Sequence, residues 1–143
     1  MEQRDSGAPF QDVMDDHRGL LERLAAIEAE SEPERIHEEI RLLIPVLEMH
    51  FEREERPGGM FTRVETQDPR QSGEIRALRD EHVALIDTAV SLIERAALTS
   101  QQRLPSHDLV SDVHKFTTHL RRHEARENAL LTDAHYHEEG GGD

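Results

Sequence analysis

The sequence lacks cysteine and tryptophan, and aromatic residues make up only 3% of it. Without cysteine it can form no disulfide, thiolate metal site or iron–sulfur cluster, which fits a cytoplasmic location. Basic residues are also scarce: 17 lysines and arginines stand against 31 aspartates and glutamates, and the net charge of −14 disfavours binding to nucleic acid phosphates. No apolar run approaches the roughly 18 residues that span a bilayer, so no membrane contact is predicted.

What the sequence does contain is histidine, at 10 of 143 residues, and long stretches of apolar residues with helical spacing. Residues three and four apart share one face of a helix, and this spacing predicts four amphipathic helices and no strands. Short links after the first and third helices and a longer connector over 60–73 favour an all-α, antiparallel, up-down-up-down four-helix bundle. We expect this domain to span residues 10–134, between a flexible N-terminus at 1–9 and a flexible C-terminal tail at 135–143.

The two halves of the chain resemble each other. His17 and His82 each follow an acidic residue and precede two aliphatic residues at the same spacing, and the pattern HxxRE occurs at 50–54 and again at 123–127. The chain is therefore interpreted as a duplicated helix pair, in which each half supplies one histidine and then a His-x-x-x-Glu pair.

Six residues on the inward apolar stripes form a predicted metal site: His17, His50, Glu54, His82, His123 and Glu127. A histidine and a glutamate four residues apart point from one face of a helix and can hold the same ion. A glutamate on an apolar stripe needs a cation or a set of donors, and no lysine or arginine lies on these stripes. Alone, His17 or His82 would more often be an ordinary core histidine. Together, the imidazoles and carboxylates suit two ions of iron or another first-row divalent metal.

The order of these motifs resembles the hemerythrin-like (HHE cation-binding) domain family, from about Phe10 to Leu131. The run HFEREE at 50–55, followed by GGMF at 58–61, is similar to the second-helix signature of that family. The resemblance implies a four-helix bundle that holds an oxo- or hydroxo-bridged non-haem di-iron centre. It further implies that the six residues are the ligands and that the two glutamates bridge the ions.

One position departs from the oxygen-carrying members of that family. They have a fifth histidine one turn before the third-helix ligand, where this sequence has Leu78. His119, one turn before His123 and about 40° from it around the helix, is a candidate fifth imidazole. Glu81, Glu55 or solvent are the alternatives for completing the ligand shell. An iron pair with open positions favours reaction or sensing over O2 transport.

The preferred hypothesis is a non-haem di-iron protein that binds O2 or reacts with peroxide at a metal pair in the bundle core. Any enzymatic activity would be of the peroxide-decomposing or oxidase type. Two alternatives stay open: a module that senses O2, NO or iron, and an iron storage or buffering protein without catalysis. The predicted partners are thus small molecules (O2, peroxide or NO), with no nucleic acid and no membrane, and no oligomeric state is predicted.

Overall fold

The computed structural model describes the backbone of residues 10–140 and the side chains of residues 10–134. Five α-helices follow in chain order: α1 (Gln11–Glu28), α2 (Pro33–Glu55), α3 (Met60–Gln67), α4 (Ser72–Gln101) and α5 (His107–Gly140). The four long helices close into a bundle, because α2 packs against α4, α4 against α5, and α1 against both α2 and α5. No strand occurs between residues 10 and 140, and the predicted all-α bundle is confirmed.

The end of α2 is set by the Pro57-Gly58-Gly59 turn. Gly58 adopts a φ of 81°, a conformation that favours glycine. A Cβ atom at Gly59 would lie only 2.2 Å from the carbonyl oxygen of Arg53, so only a glycine lets the chain turn this closely beneath the helix. The turn therefore fixes the last turn of α2, which carries Glu54.

The connector predicted over 60–73 is mostly helical. It forms α3, then a short 3-10 turn at Pro69–Gln71, and then enters α4. Met60, Phe61 and Val64 are buried because α3 places them on one face, against α5 and the ends of α2 and α4. This short helix covers one end of the bundle.

The last helix differs from the sequence expectation. The backbone is helical through Gly140, whereas a flexible tail was predicted from residue 135. None of residues 135–139 is a glycine or proline, so nothing in that segment stops a helix. Residues 1–9 and 141–143, which were also predicted to be flexible, lie outside the described residues. Within the described part of the chain, no helix has the length and apolar character needed to cross a membrane.

Two apolar clusters fill the bundle, and a layer of buried polar side chains separates them. The larger cluster lies toward the α1–α2 and α4–α5 links and includes Leu24, Ile27, Ile40, Leu47, Leu85, Leu92, Phe116 and Leu120. The smaller cluster lies at the α3 end and includes Val13, Phe61, Val64, Leu78 and Leu130. Each fully buried aliphatic side chain stabilises the fold by about 1.5–3 kcal/mol, which offsets the cost of burying polar groups between them.

Candidate metal centre

Seven side chains form the polar layer, and each of them is at most 3% exposed. They are His17 on α1, His50 and Glu54 on α2, His82 on α4, and His123, Glu124 and Glu127 on α5. In α1, α4 and α5, the layer lies between residues of the two apolar clusters. On α1, for example, Val13 belongs to the smaller cluster, Leu20 to the larger one, and His17 lies between them.

The seven side chains form two overlapping groups, in each of which one ligand atom per residue lies within 4.8 Å of the others. The first group consists of His17, His50, Glu54, Glu124 and Glu127, and the second consists of Glu54, His82, His123 and Glu127. The structure thus brings together all six residues that the sequence analysis selected. Glu54 and Glu127 belong to both groups, which is the arrangement that two neighbouring ions sharing two carboxylates would require.

Carboxylate oxygens crowd the Nε2 atoms of the imidazoles. Nε2 of His17 lies 3.0 Å from Oε2 of Glu54, 3.0 Å from Oε1 of Glu127 and 3.4 Å from Oε1 of Glu124. Nε2 of His82 lies 3.1 Å from Oε1 of Glu54 and 3.3 Å from Oε2 of Glu127. One ring N–H cannot satisfy three carboxylates, so hydrogen bonds alone do not account for this geometry.

Several buried polar atoms of the layer have no hydrogen-bond partner among the described residues. They are Nε2 of His50, Oε1 of Glu54, both side-chain oxygens of Glu124 and Oε1 of Glu127. Within residues 10–134, the ion-pair partners of these three glutamates are histidines, and no lysine or arginine pairs with them. Burying carboxylate oxygens without a full set of hydrogen-bond donors costs free energy, whereas divalent cations would bind these same atoms. The residues therefore fit a metal centre.

The electrostatics of the histidines agree with this assignment. Burial alone would lower the pKa of His17, but its close contacts with the carboxylates of Glu127 and Glu54 outweigh burial and raise the pKa to about 11. The same opposition raises the pKa of His50 to about 10 and that of His82 to about 9. Protons thus supply the positive charge that the carboxylates need, and cations would take over this role by displacing them.

The glutamates of the layer do not titrate alike. Burial would raise the pKa of Glu127, but the imidazoles of His123 and His17 beside it bring the pKa well below its usual value. Neighbouring imidazoles lower the pKa of Glu54 in the same way. Burial dominates at Glu124 and raises its pKa. Glu124 is thus the carboxylate with the least compensation in the absence of a cation.

Side-chain oxygens outside the polar layer orient three of the imidazole rings. Three imidazoles donate from Nδ1: His17 to Oδ1 of Asn128 at 2.8 Å, His82 to Oε2 of Glu55 at 2.5 Å, and His123 to Oε1 of Glu81 at 2.7 Å. These bonds turn each Nε2 toward the centre of the layer. Such outer partners typically fix both the tautomer and the orientation of metal-binding histidines.

His119, the candidate fifth imidazole, lies elsewhere. Its Nε2 atom is 3.1 Å from Oε2 of Glu81, its side chain is 38% exposed, and it belongs to neither ligand group. Glu81 and Glu55, the alternative ligands proposed from the sequence, contact the outer nitrogens of His123 and His82 instead. The angular offset of about 40° from His123 is enough to turn His119 out of the layer and toward Glu81.

The residue that the sequence analysis missed is Glu124. It lies about 60° around α5 from Glu127 and was not counted on the inward stripe. The duplication contained a usable signal, because the corresponding position in the first half is Phe51, an apolar residue next to a predicted ligand. A position that is apolar in one half faces inward, so a glutamate there in the other half is a candidate ligand.

The fold and the site define a class of protein: a four-helix bundle whose buried imidazoles and carboxylates could hold cations. The family model for the Hemerythrin HHE cation binding domain matches residues 8–134. The chain therefore belongs to this family, and the resemblance noted in the sequence is confirmed. Comparison with curated proteins and with solved structures gave no significant match.

Proposed function

We infer that the chain binds a pair of iron ions in the polar layer and that this pair binds O2 or reacts with peroxide. The observation that carries the proposal is the set of buried carboxylates and imidazoles whose ligand atoms lie together, several of them without a hydrogen-bond partner among the described residues. The donors are nitrogen and oxygen alone, which suits iron and other first-row divalent metals. Two overlapping groups with two shared carboxylates favour two ions over one.

The ligand groups indicate which residues would hold each ion. His17, His50 and Glu124 would serve one position, His82 and His123 would serve the other, and both positions would share the two remaining glutamates. When bound, the iron pair supplies Lewis acidity and exchangeable electrons for reaction with O2 or peroxide.

The chain itself contributes orientation and exclusion of water. Leu47, Leu85 and Leu120 are fully buried next to the layer in the larger cluster, and Leu78 closes it from the smaller cluster. The outer oxygens keep the imidazoles aimed at the centre. Apolar side chains on both sides of the layer would limit the access of bulk water to a bound metal pair.

Metal analysis of the purified, iron-loaded protein tests the assignment directly. We expect two iron ions per chain and an absorption spectrum with ligand-to-iron charge-transfer bands that changes when O2 or peroxide is added. Loading with manganese and with zinc in parallel separates a preference for iron from general divalent binding. Fewer than one iron per chain, or a spectrum that neither ligand perturbs, contradicts the proposal.

A peroxide-decomposition assay distinguishes reaction from storage. Glu54→Ala removes a carboxylate shared by both ligand groups, so the rate should fall to that of free iron. Glu38→Ala on the same helix is the matched control, because that side chain is 53% exposed and pairs with Arg41 at the surface. Equal rates for wild type and Glu54→Ala would exclude catalysis at this site and leave iron storage as the better description.

A further inference from the structure

His50 is the one imidazole of the polar layer whose Nδ1 atom has no hydrogen-bond partner among residues 10–134. The Nδ1 atoms of the other three donate to side-chain oxygens outside the layer. Nε2 of His50 points into the layer, 2.9 Å from Oε2 of Glu54. A histidine that binds a metal through Nε2 carries its proton on Nδ1, and this N–H typically has an acceptor. The acceptor for His50 is thus expected to come from solution.

A cavity of about 330 Å³ opens beside His50, between the start of α1, the end of α2 and the turn into α3. His50 lines this cavity and is itself only 3% exposed. Its Nε2 atom is fully buried without a hydrogen-bond partner, whereas Nδ1, which also has none, is not fully buried. Nδ1 is therefore the ring nitrogen that faces the cavity.

The N-terminus of α3 opens on the same cavity, which Gly58, Gly59 and Met60 line. The backbone N–H groups of residues 60–62 have no backbone acceptor in the described part of the chain, and no side chain caps the helix. Unbonded N–H groups and the helix dipole make such a terminus attractive to negative charge. The backbone thus adds donors to the one that His50 supplies.

Three arginines line the cavity: Arg53, Arg56 and Arg63. The guanidinium groups of Arg53 and Arg56 make no hydrogen bond with residues 10–134, and the carboxylates nearest to them lie 3.2 Å and 3.8 Å away. Each guanidinium carries five N–H donors, so both have donors to spare. The cavity is a local concentration of positive charge in a chain whose net charge is −14.

The carboxylates that line the cavity are already engaged. Asp12 accepts two hydrogen bonds from Arg63, at 3.2 Å and 3.4 Å, and Asp16 lies 3.2 Å from Arg53. The side chains of Asp12 and Asp16 are 71% and 42% exposed, so they lie at the rim. Glu54 turns its carboxylate into the polar layer. The groups that remain for a ligand in the cavity are donors.

We propose that this cavity binds a small oxyanion, such as sulfate, phosphate or a small carboxylate. The oxyanion accepts hydrogen bonds from Nδ1 of His50, from the N-terminus of α3 and from the guanidinium groups of Arg53 and Arg56. It gives His50 the outer partner that the chain supplies to the other three imidazoles. Anion and metal should therefore strengthen each other's binding. The cavity itself does not depend on a metal, whereas this coupling rests on the proposed function.

Calorimetric titration of the metal-free protein with sulfate tests the cavity by itself. We expect one sulfate per chain, and no binding when sodium chloride of equal ionic strength replaces it. Arg53→Gln and Arg56→Gln should each weaken sulfate binding by about 3–10-fold. Both side chains are at least 43% exposed, so both variants should fold. Parallel titrations with phosphate and acetate distinguish a phosphate-like ligand from a carboxylate.

Arg41→Gln is the matched control, because Arg41 lies on the same helix, outside the cavity, and pairs with Glu38 at the surface. It should bind sulfate like wild type. A wild-type protein that binds no sulfate would overturn the inference. So would Arg53→Gln and Arg56→Gln proteins that bind it as tightly as Arg41→Gln does.

Nitrogen-15 NMR of the zinc-loaded protein tests the contact with His50. Sulfate should shift the Nδ1 resonance of His50 and the amide resonance of Met60, and leave the Nδ1 resonances of the other three imidazoles in place. Competition with a chelator should show that sulfate raises zinc affinity by about 10-fold in wild type and by less in Arg53→Gln. An unshifted His50 resonance with sulfate bound would overturn the inference. Failure to bind zinc would overturn the proposed function instead, and the metal-free titration would still test the cavity.

Discussion

The carboxylate of Glu81 joins a buried imidazole to a surface one: Oε1 lies 2.7 Å from Nδ1 of His123, and Oε2 lies 3.1 Å from Nε2 of His119. Arg126 donates to the same carboxylate and also contacts Glu74. Burial alone would raise the pKa of Glu81, but the hydrogen bonds with the two histidines lower it. Glu81 is thus held as an anion behind a predicted metal ligand.

Replacing Glu81 by glutamine should weaken metal binding. Glutamine keeps the shape but removes the charge that increases the basicity of His123, and loss of such an outer partner typically costs about 10–100-fold in metal affinity. Competition titration against a chromophoric chelator measures the change. Glu74→Gln is the control, because Glu74 contacts Arg126 but no residue of the polar layer. Equal affinities for Glu81→Gln and wild type would contradict the role assigned to Glu81.

Gly59→Ala should disturb both the fold and the site. The added Cβ would lie 2.2 Å from the carbonyl oxygen of Arg53 and 2.9 Å from that of Glu54, so the last turn of α2 must shift. We expect a loss of about 1–3 kcal/mol in the free energy of unfolding of the metal-free protein, together with weaker metal binding. Chemical denaturation and the chelator titration measure the two effects.

Gly19→Ala is the matched control for this substitution. Gly19 is exposed within α1, and nothing lies within 4 Å of a Cβ atom placed there. Alanine should stabilise the helix by about 0.4–1 kcal/mol and leave metal affinity unchanged. If Gly59→Ala behaved like Gly19→Ala, the close approach at the α2 turn would not constrain the site.

The bundle could be predicted because its signal is periodic. Apolar residues such as Leu20, Leu24 and Ile27 recur at helical spacing, and they are the residues that pack into the larger cluster. Inward histidines and glutamates interrupt the same stripes, so the layer they form could be predicted as well. These predictions required only the helix face on which each residue lies.

Other features depend on details that periodicity does not contain. Glu124 and His119 both lie near the edge of the inward stripe of α5, and packing turned the first inward and the second outward. Spacing alone cannot decide such borderline positions, since boundaries and helix rotation shift them by tens of degrees. The helical continuation to Gly140 likewise depends on the absence of a helix-stopping residue, and the flexible tail was inferred from the terminal glycines.

Metal loading should release protons. At pH 7 the pKa values of about 11, 10 and 9 keep His17, His50 and His82 protonated in the metal-free protein. Metal ligation requires neutral imidazoles, so we expect release of about three protons per chain. Calorimetric titration with zinc in buffers of different ionisation enthalpy measures this number. Histidines with the ordinary pKa of about 6.5 would release about one proton in total, and that outcome would contradict the coupling of these imidazoles to the carboxylates.

The stability of the metal-free protein should fall at alkaline pH. Folding raises the pKa of His17, His50 and His82, so their stabilising contribution is complete below the unfolded value of 6.5 and is lost as pH rises through about 9–11. The lowered pKa values of Glu54 and Glu127 act in the opposite direction, and their contribution is lost as pH falls below about 4.5. The melting temperature without metal should therefore decrease between pH 7 and 10, as measured by circular dichroism in the presence of a chelator.

Metal reverses this trend, because deprotonated imidazoles bind cations more strongly and a cation supplies the positive charge that the protons supplied before. The melting temperature of the zinc-loaded protein should stay level or rise between pH 7 and 9. The difference between loaded and metal-free protein should thus widen as pH increases. If the melting temperatures of the two forms changed with pH in parallel, protons and metal would not compete for the same atoms. The polar layer would then be an ordinary buried ion-pair network.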